Sequence, residues 1–231
     1  MTPLYTTLLF DADGTLFDYD RAETWALSET FAQYGHAFKP GYSDLYRRVN
    51  GPLWDALEQG DVTQDRLKVL RFELLFDQLG LAVDPAAFSA SYSRQLGQGT
   101  FLIDGALETV AELNDDYRLF IITNGLTDVQ RPRFGESSIG RYFEDWIISE
   151  EVGFAKPDPR IFDVAFERMG RPDKEQVLII GDSLTSDIAG GIAYGIDTCW
   201  FNPAGRKADA TTLITYEIQE LSQLLTLPTR A

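Results

Sequence analysis

Asp11 and Asp13, one residue apart, close the first apolar run of the chain, Thr7-Leu8-Leu9-Phe10-Asp11-Ala12-Asp13-Gly14-Thr15. Two carboxylates this close repel unless a cation or a proton separates them. A short apolar run that ends in acids and Gly reads as a buried parallel strand delivering those acids to its carboxyl end. Open α/β sheets bind their ligands at that edge. Taken alone, one D-x-D is equally an acidic strand-to-turn junction.

Matching polar groups follow later runs. Arg118–Ile122 leads into Thr123-Asn124-Gly125, and Asp145–Ile148 into Ser149-Glu150, with Lys156-Pro157 a short loop away. Val177–Ile180 leads into Gly181-Asp182-Ser183-Leu184-Thr185-Ser186-Asp187, and Thr198–Phe201 ends at Asn202-Pro203. Each piece alone has a bland reading: Thr-Asn-Gly is a turn, Lys-Pro is a loop, and Gly-Asp-Ser is a capped helix start. Together, strands alternating with helical stretches predict an α/β fold, a parallel sheet wrapped by helices.

Between about Asp20 and Phe101 the alternation stops and helical patterns take over. They are Arg21–Tyr34, Tyr42–Gln59, Gln64–Leu79 capped by Thr63, and a fourth opened by Pro85. Gly97-Gln98-Gly99 reads as a hinge back to the sheet. Gly105–Leu113 and Asp158–Met169 read as sheet-covering helices, and Leu227–Ala231 as a loose tail. The expected division is 1–18 with 102–231 for the sheet domain and 19–101 for a helical insertion.

Composition narrows the partners. The chain has 231 residues, 44% of them hydrophobic, enough for a core. Lys and Arg total 20 against 36 Asp and Glu, for a net charge of −16, which repels nucleic acid and anionic membranes. No run approaches the length of a membrane span and no secretory signal is evident. One cysteine, Cys199, in an apolar strand, excludes an internal disulfide, reads as a core residue and fits a cytoplasmic setting. His36, the single histidine, reads as a surface residue, and Ser-His-Asp hydrolysis is disfavoured.

The ordered set D-x-D-G-T, T-N-G, K-P and G-D-S-x-x-S-D, from Asp11 to Asp187, resembles the four motifs of the haloacid-dehalogenase-like superfamily. The resemblance implies a Rossmann-like three-layer parallel sheet core with an inserted α-helical cap domain, its first strand central. It implies that Asp11 is the nucleophile of an aspartyl-phosphate mechanism, and that Asp13 is the acid that protonates the leaving oxygen and then activates water. An Asp at that second position suits phosphoryl transfer rather than dehalogenation, since a halide leaves without a proton. The resemblance implies Mg²⁺ on Asp11, Asp182 and the Asp13 carbonyl, supported by Asp187. It assigns phosphoryl contacts to Thr123, Asn124 and Gly125, and positive charge to Lys156.

A narrower likeness, through Asn50-Gly51-Pro52-Leu53-Trp54, Arg71-Phe72, Gly153–Pro157 and Cys199–Pro203, is to the pyrimidine 5′-nucleotidase subgroup. It implies hydrolysis of nucleoside 5′-monophosphates. Sugar phosphates or phosphoglycolate are the alternative, and a binding protein on a dead enzyme fold would be expected to lack one of the four motif residues. The chain departs from the subgroup at Arg131-Pro132-Arg133-Phe134, where Pro132 is expected to shorten or kink a helix. Phe17, Tyr19, Trp25, Tyr46 and Trp54 are read as cap aromatics that either stack a base or form core. Arg47, Arg48, Lys68 and Arg71 are read as solvated faces or cap salt bridges.

Overall fold

The computed structural model describes residues 2–58, 60–209, 211–226 and 229–230. The described residues form eight strands: β1 (Thr2–Pro3), β2 (Thr7–Phe10), β3 (Arg118–Thr123), β4 (Asp145–Ile148), β5 (Val177–Gly181), β6 (Asp197–Phe201), β7 (Tyr216–Ile218) and β8 (Thr229–Arg230). Six make one parallel sheet in the order β4-β3-β2-β5-β6-β7. The chain moves outward from β2 through β3 to β4, then returns to β5 on the other side. The strand order therefore reverses at β2, the switch point where such sheets bind ligands.

The central strands are largely apolar because both sheet faces are covered. Leu8, Phe10, Leu119, Ile121, Leu178 and Ile180 feed one core, while Leu9, Phe120, Ile122, Val177 and Ile179 feed the other. That is the period-two alternation of a strand, expressed between two buried faces.

The chain divides into two compact units. One comprises Met1–Asp18, Phe101–Thr127 and Phe134–Ala231, and the other Tyr19–Thr100 with Asp128–Arg133. The helical unit holds α1 (Tyr19–Gln33), α2 (Tyr42–Glu58), α3 (Gln64–Leu79) and α4 (Pro85–Gln98). Its centre is aromatic: Phe31, Phe72, Phe76 and Phe88 are buried, and the Phe76 and Phe88 rings meet edge to face at 4.9 Å. Thr63 caps α3 by accepting from the Arg66 N–H at 3.3 Å, and Gly80 ends it in the left-handed conformation. The sheet unit adds α5 (Ala106–Leu113), part of α6 (Thr127–Glu136), α7 (Ser149–Val152), α8 (Pro159–Arg168) and α9 (Ala189–Tyr194). None of the described helices is long and apolar enough to cross a membrane.

Several expectations are corrected. Residues 128–133, assigned to the sheet domain, pack with the helical unit. Gly97, expected as part of a hinge, lies within α4 and meets that segment: a Cβ there would lie 3.1 Å from Pro132 Cγ and 3.3 Å from the Asp128 and Val129 carbonyls. Pro132 sits inside α6, which runs on to Glu136. Phe17 belongs to the sheet unit, its ring 5.6 Å from Phe134. Of the expected tail, Thr229 and Arg230 pair antiparallel with β1, while 227, 228 and 231 lie outside the described residues, as does Gln59.

Arg71 is the largest departure. Its side chain is buried, donates from Nη1 to the Tyr46 hydroxyl at 3.2 Å, and lies 5.1 Å from the Phe72 and Tyr92 ring centres. Nearby on α1, Glu23 is also buried and accepts from Arg47 Nε at 2.8 Å. Burial, only partly offset by Arg47, pushes the Glu23 carboxyl from its ordinary 4.5 to about 7. A folded-state pKa above the unfolded one means that protonation favours folding. The stability linked to Glu23 is full below about pH 4.5 and is lost as pH rises through 7. Replacing Glu23 with Gln should remove that slope. In urea titrations, wild type should lose stability relative to Glu23→Gln between pH 4.5 and 8, by about 3 kcal/mol at most. A pH-independent difference between the two proteins would refute the assignment.

Candidate active site

The loop after β2 sets the first carboxylate. The Asp11 N–H donates to the Ile180 carbonyl at 2.8 Å, carrying the β2–β5 pairing one residue past the strand. The chain then folds back sharply: Leu16 and Phe17 N–H groups both donate to the Ala12 carbonyl at 2.9 Å. Gly14 makes this turn with φ +86°, and a Cβ on it would stand 2.9 Å from Asp182 Oδ2. Only glycine satisfies both the left-handed backbone and that approach.

Lys156 reaches the same point from the loop after α7, across a cis Lys156–Pro157 peptide. Its ammonium donates to Asp11 Oδ1 at 2.6 Å, to Asp187 Oδ1 at 2.7 Å and to the Ile122 carbonyl at 2.7 Å. An ammonium has three protons, and all three are engaged within the chain. Lys156 acts here as a buried point charge rather than as a donor held in reserve for a ligand. Asn124 holds it from behind: its Nδ2 donates to the Lys156 carbonyl at 2.8 Å and its Oδ1 accepts the Lys156 N–H at 2.7 Å.

Beyond β5 the chain takes a five-residue π-turn, Leu184–Ile188, with the Ile188 N–H donating to the Ser183 carbonyl. Ser183 Oγ accepts the Ser186 N–H at 3.2 Å, and Asp187 Oδ2 reaches back to accept the Ser183 N–H at 3.0 Å. This reciprocal cap swings Asp187 over Gly181, where any Cβ would be built into its carboxylate. Both Asp187 oxygens are thereby committed. Asp182 differs: its carboxylate takes no side-chain donor among the described residues, and its backbone carbonyl accepts from Trp200 Nε1 and Arg206 Nη2.

Asp11, Asp182 and Asp187 each place a carboxylate oxygen within 4.8 Å of the others. Three carboxylates and one ammonium leave two negative charges if all are ionised. The titration of the site reflects that deficit. Burial first, then Asp187 and Asp182, holds the Asp11 carboxyl well above the usual carboxylate range, against the pull of Lys156. Burial and Asp187 push Asp182 up to about 6. Burial alone would lower Lys156, but Asp11 and Asp187 override it and hold the ammonium above its ordinary value. A divalent cation fits such a site in charge and in donor type, since every candidate ligand is oxygen.

The remaining expected site residues are placed as follows. Asp13 is half-buried on the turn two residues past Asp11 and is not one of the three clustered carboxylates. Thr123 ends β3, buried, with Oγ1 accepting the Gly125 N–H at 3.0 Å. That bond takes the Gly125 N–H, and the Asn124 side chain is taken by Lys156, so these two residues organise the loop instead of offering those groups to a phosphate. Trp54 is half-buried on α2, in the helical unit. Thr15, whose hydroxyl donates to Asp11 Oδ2 at 3.2 Å, was not anticipated from sequence, nor was Arg206. The signal for Thr15 was present in its position four residues after Asp11, within the D-x-D-G-T run.

A parallel sheet with carboxylates and a lysine gathered at its switch point defines a hydrolase-type α/β centre. Comparison with known families makes this specific. Residues 5–195 match the haloacid dehalogenase-like hydrolase family, and the chain belongs to that family. It is 39% identical over 220 residues to the HAD-hydrolase YfnB of Bacillus subtilis, covering 95% of this chain and 94% of that one. It is 36% identical to the pyrimidine 5′-nucleotidase PynA of Streptococcus pneumoniae (96% and 94% covered) and 35% identical to the pyrimidine 5′-nucleotidase YjjG of Escherichia coli (94% and 96%). The crystal structure of magnesium-bound YfnB superposes with a TM-score of 0.90 at 38% identity, over 96% of this chain and 97% of that one.

Removing Lys156 tests how far the carboxylates depend on it. Breaking a buried ion pair by deleting one partner costs about 3–5 kcal/mol, so Lys156→Met should lower stability by that order at pH 7. The loss should shrink at pH 5, where Asp11 and Asp182 can take protons instead. A loss under about 1 kcal/mol at pH 7 in chemical denaturation would contradict the arrangement.

Proposed function

We propose that this protein is a Mg²⁺-dependent phosphatase that hydrolyses nucleoside 5′-monophosphates, with a preference for pyrimidines, through an aspartyl-phosphate intermediate. The observation that carries the reading is the Asp11–Lys156–Asp187 arrangement beside Asp182 at the sheet's switch point. The substrate class is supported by two relatives, each at least 35% identical over nearly the whole chain, that are named pyrimidine 5′-nucleotidases.

In this reading Asp11 attacks phosphorus in line. The new bond is carboxylate oxygen to phosphorus, the bond to the ester oxygen breaks, and Asp13 gives its proton to the departing oxygen. Asp13, now a carboxylate, takes a proton from water as the water oxygen attacks phosphorus. That step returns Asp11 as a carboxylate and releases phosphate. Mg²⁺ on Asp11, Asp182 and the Asp13 carbonyl would supply charge to a phosphoryl group that is already anionic. Lys156 fixes the direction of Asp11 and draws it toward the ionised form, against the burial that holds its carboxyl above the usual carboxylate range. Asp187 holds Lys156, and the Thr123 hydroxyl orients a phosphoryl oxygen. A single phosphate suits the charge present, because the surrounding chain is strongly acidic.

Three measurements test this. Asp11→Asn should reduce turnover by at least about 10³-fold while the protein stays folded, and EDTA should abolish activity until Mg²⁺ is returned. Activity near wild type in Asp11→Asn, or full activity in excess chelator, would sink the mechanism. In a panel of phosphomonoesters, kcat/KM should be highest for UMP, dUMP or dTMP, lower for purine nucleotides and sugar phosphates, and nil for triphosphates. If a hexose phosphate or phosphoglycolate exceeds every pyrimidine nucleotide, the sugar-phosphatase alternative replaces this one.

A further inference from the structure

Asp182 is held by its backbone as well as by its neighbours. Its carbonyl accepts from Trp200 Nε1 at 3.0 Å and from Arg206 Nη2 at 2.8 Å, which fills both lone-pair positions of one oxygen. Trp200 is fully buried on β6, so packing fixes that donor. Arg206 is exposed, and an exposed arginine ordinarily samples many rotamers.

Here its path is defined by the loop that carries it. Asn202, fully buried at the end of β6, accepts the Arg206 N–H on Oδ1 and donates from Nδ2 to the Arg206 carbonyl, both at 2.9 Å. The same Nδ2 donates to Glu217 Oε1 at 2.6 Å, and the Asn202 N–H donates to the Ile218 carbonyl at 2.7 Å, anchoring Asn202 to β7. Gly205, with φ +61°, turns the chain so that the loop closes. The Arg206 guanidinium then lies 5.5 Å from the Trp200 ring centre and meets the Asp182 carbonyl.

We propose that Arg206, set by the Asn202 clasp, is a positioning residue for Mg²⁺: by fixing the Asp182 backbone it fixes where the Asp182 carboxylate stands, and so how tightly the ion is held. The proposal rests on the Mg²⁺ reading above. Gly14 also packs against the Asp182 carboxylate with no room for a side chain. Mg²⁺ demands near-octahedral geometry at short ligand distances, so a ligand free to swing binds it poorly. Two effects of Arg206 oppose each other. Its positive charge repels a cation, but the residue is exposed and water-screened, which limits that effect to about fivefold. Loss of outer support for a metal carboxylate typically weakens binding by about 10–100-fold, so positioning wins.

The test is Mg²⁺ titration by calorimetry, with the Mg²⁺-induced rise in Tm as a second readout, on wild type, Arg206→Ala, Arg206→Gln and Lys207→Ala. Arg206→Ala should weaken Mg²⁺ binding by about 10-fold or more and shrink the Mg²⁺-induced shift, with Tm in EDTA close to wild type. Arg206→Gln keeps a donor without the charge and should recover part of the affinity. Lys207→Ala removes an exposed charge next door and should match wild type. Asn202→Ala, which retains Arg206 but opens the loop, should weaken binding in the same direction. Unchanged or tighter binding in Arg206→Ala overturns the positioning role while leaving the Mg²⁺ reading intact. Absence of Mg²⁺ binding to wild type overturns both.

Discussion

Everything at the sheet edge is arranged around one buried ammonium. Lys156 spends its three protons on Asp11, Asp187 and the Ile122 carbonyl. Such a group is costly to bury and is tolerated only when fully paired. The pairing ties together three separate segments of chain: the end of β2, the end of β3 and the turn after β5. The π-turn that presents Asp187, the bare Gly181 beneath it and the Asn124 clasp on the Lys156 backbone all serve to put that nitrogen within reach of its three acceptors.

Charge balance then gives the site its chemistry. One lysine does not neutralise three carboxylates, and burial raises the penalty for leaving them ionised. Asp11 and Asp182 answer by holding protons more tightly than exposed carboxylates do. In the proposed mechanism Asp11 must be unprotonated to attack, and the deficit that disfavours its ionisation is one that a divalent ion would relieve. The net charge of −16 sharpens this.

The strands and their polar ends were legible because a doubly covered parallel strand is apolar from end to end and stops at a polar residue. Four such ends in order led from Asp11 to Asp187 without any structural information. Side-chain identity alone did not reveal what each group is bonded to. Backbone N–H groups were expected to serve at Asn124 and Gly125; what the residue types did not reveal is that the Asn124 side chain clasps the Lys156 backbone and that the Gly125 N–H meets Thr123 Oγ1. Arg71 was read as a solvated or salt-bridging charge because helical spacing cannot distinguish an arginine at the surface from one lying between Tyr46, Phe72 and Tyr92. The three-residue strand β7 is too short to produce a pattern. The Asn202–Arg206 clasp depends on a side chain closing on backbone four residues away, which no periodicity records.

Asp128–Arg133 join the helical unit although more than twenty-five residues of sheet-unit chain separate them from Thr100. Gly97 leaves room for that segment, with Pro132 against it. The helical unit is therefore not a cassette bounded by two cut points. Recombination that exchanges residues 19–100 between relatives would leave behind the strip its fourth helix was shaped to meet. Chimeras that change specificity by exchanging this unit must carry 128–133 with it, and in natural lineages the two stretches should be inherited together.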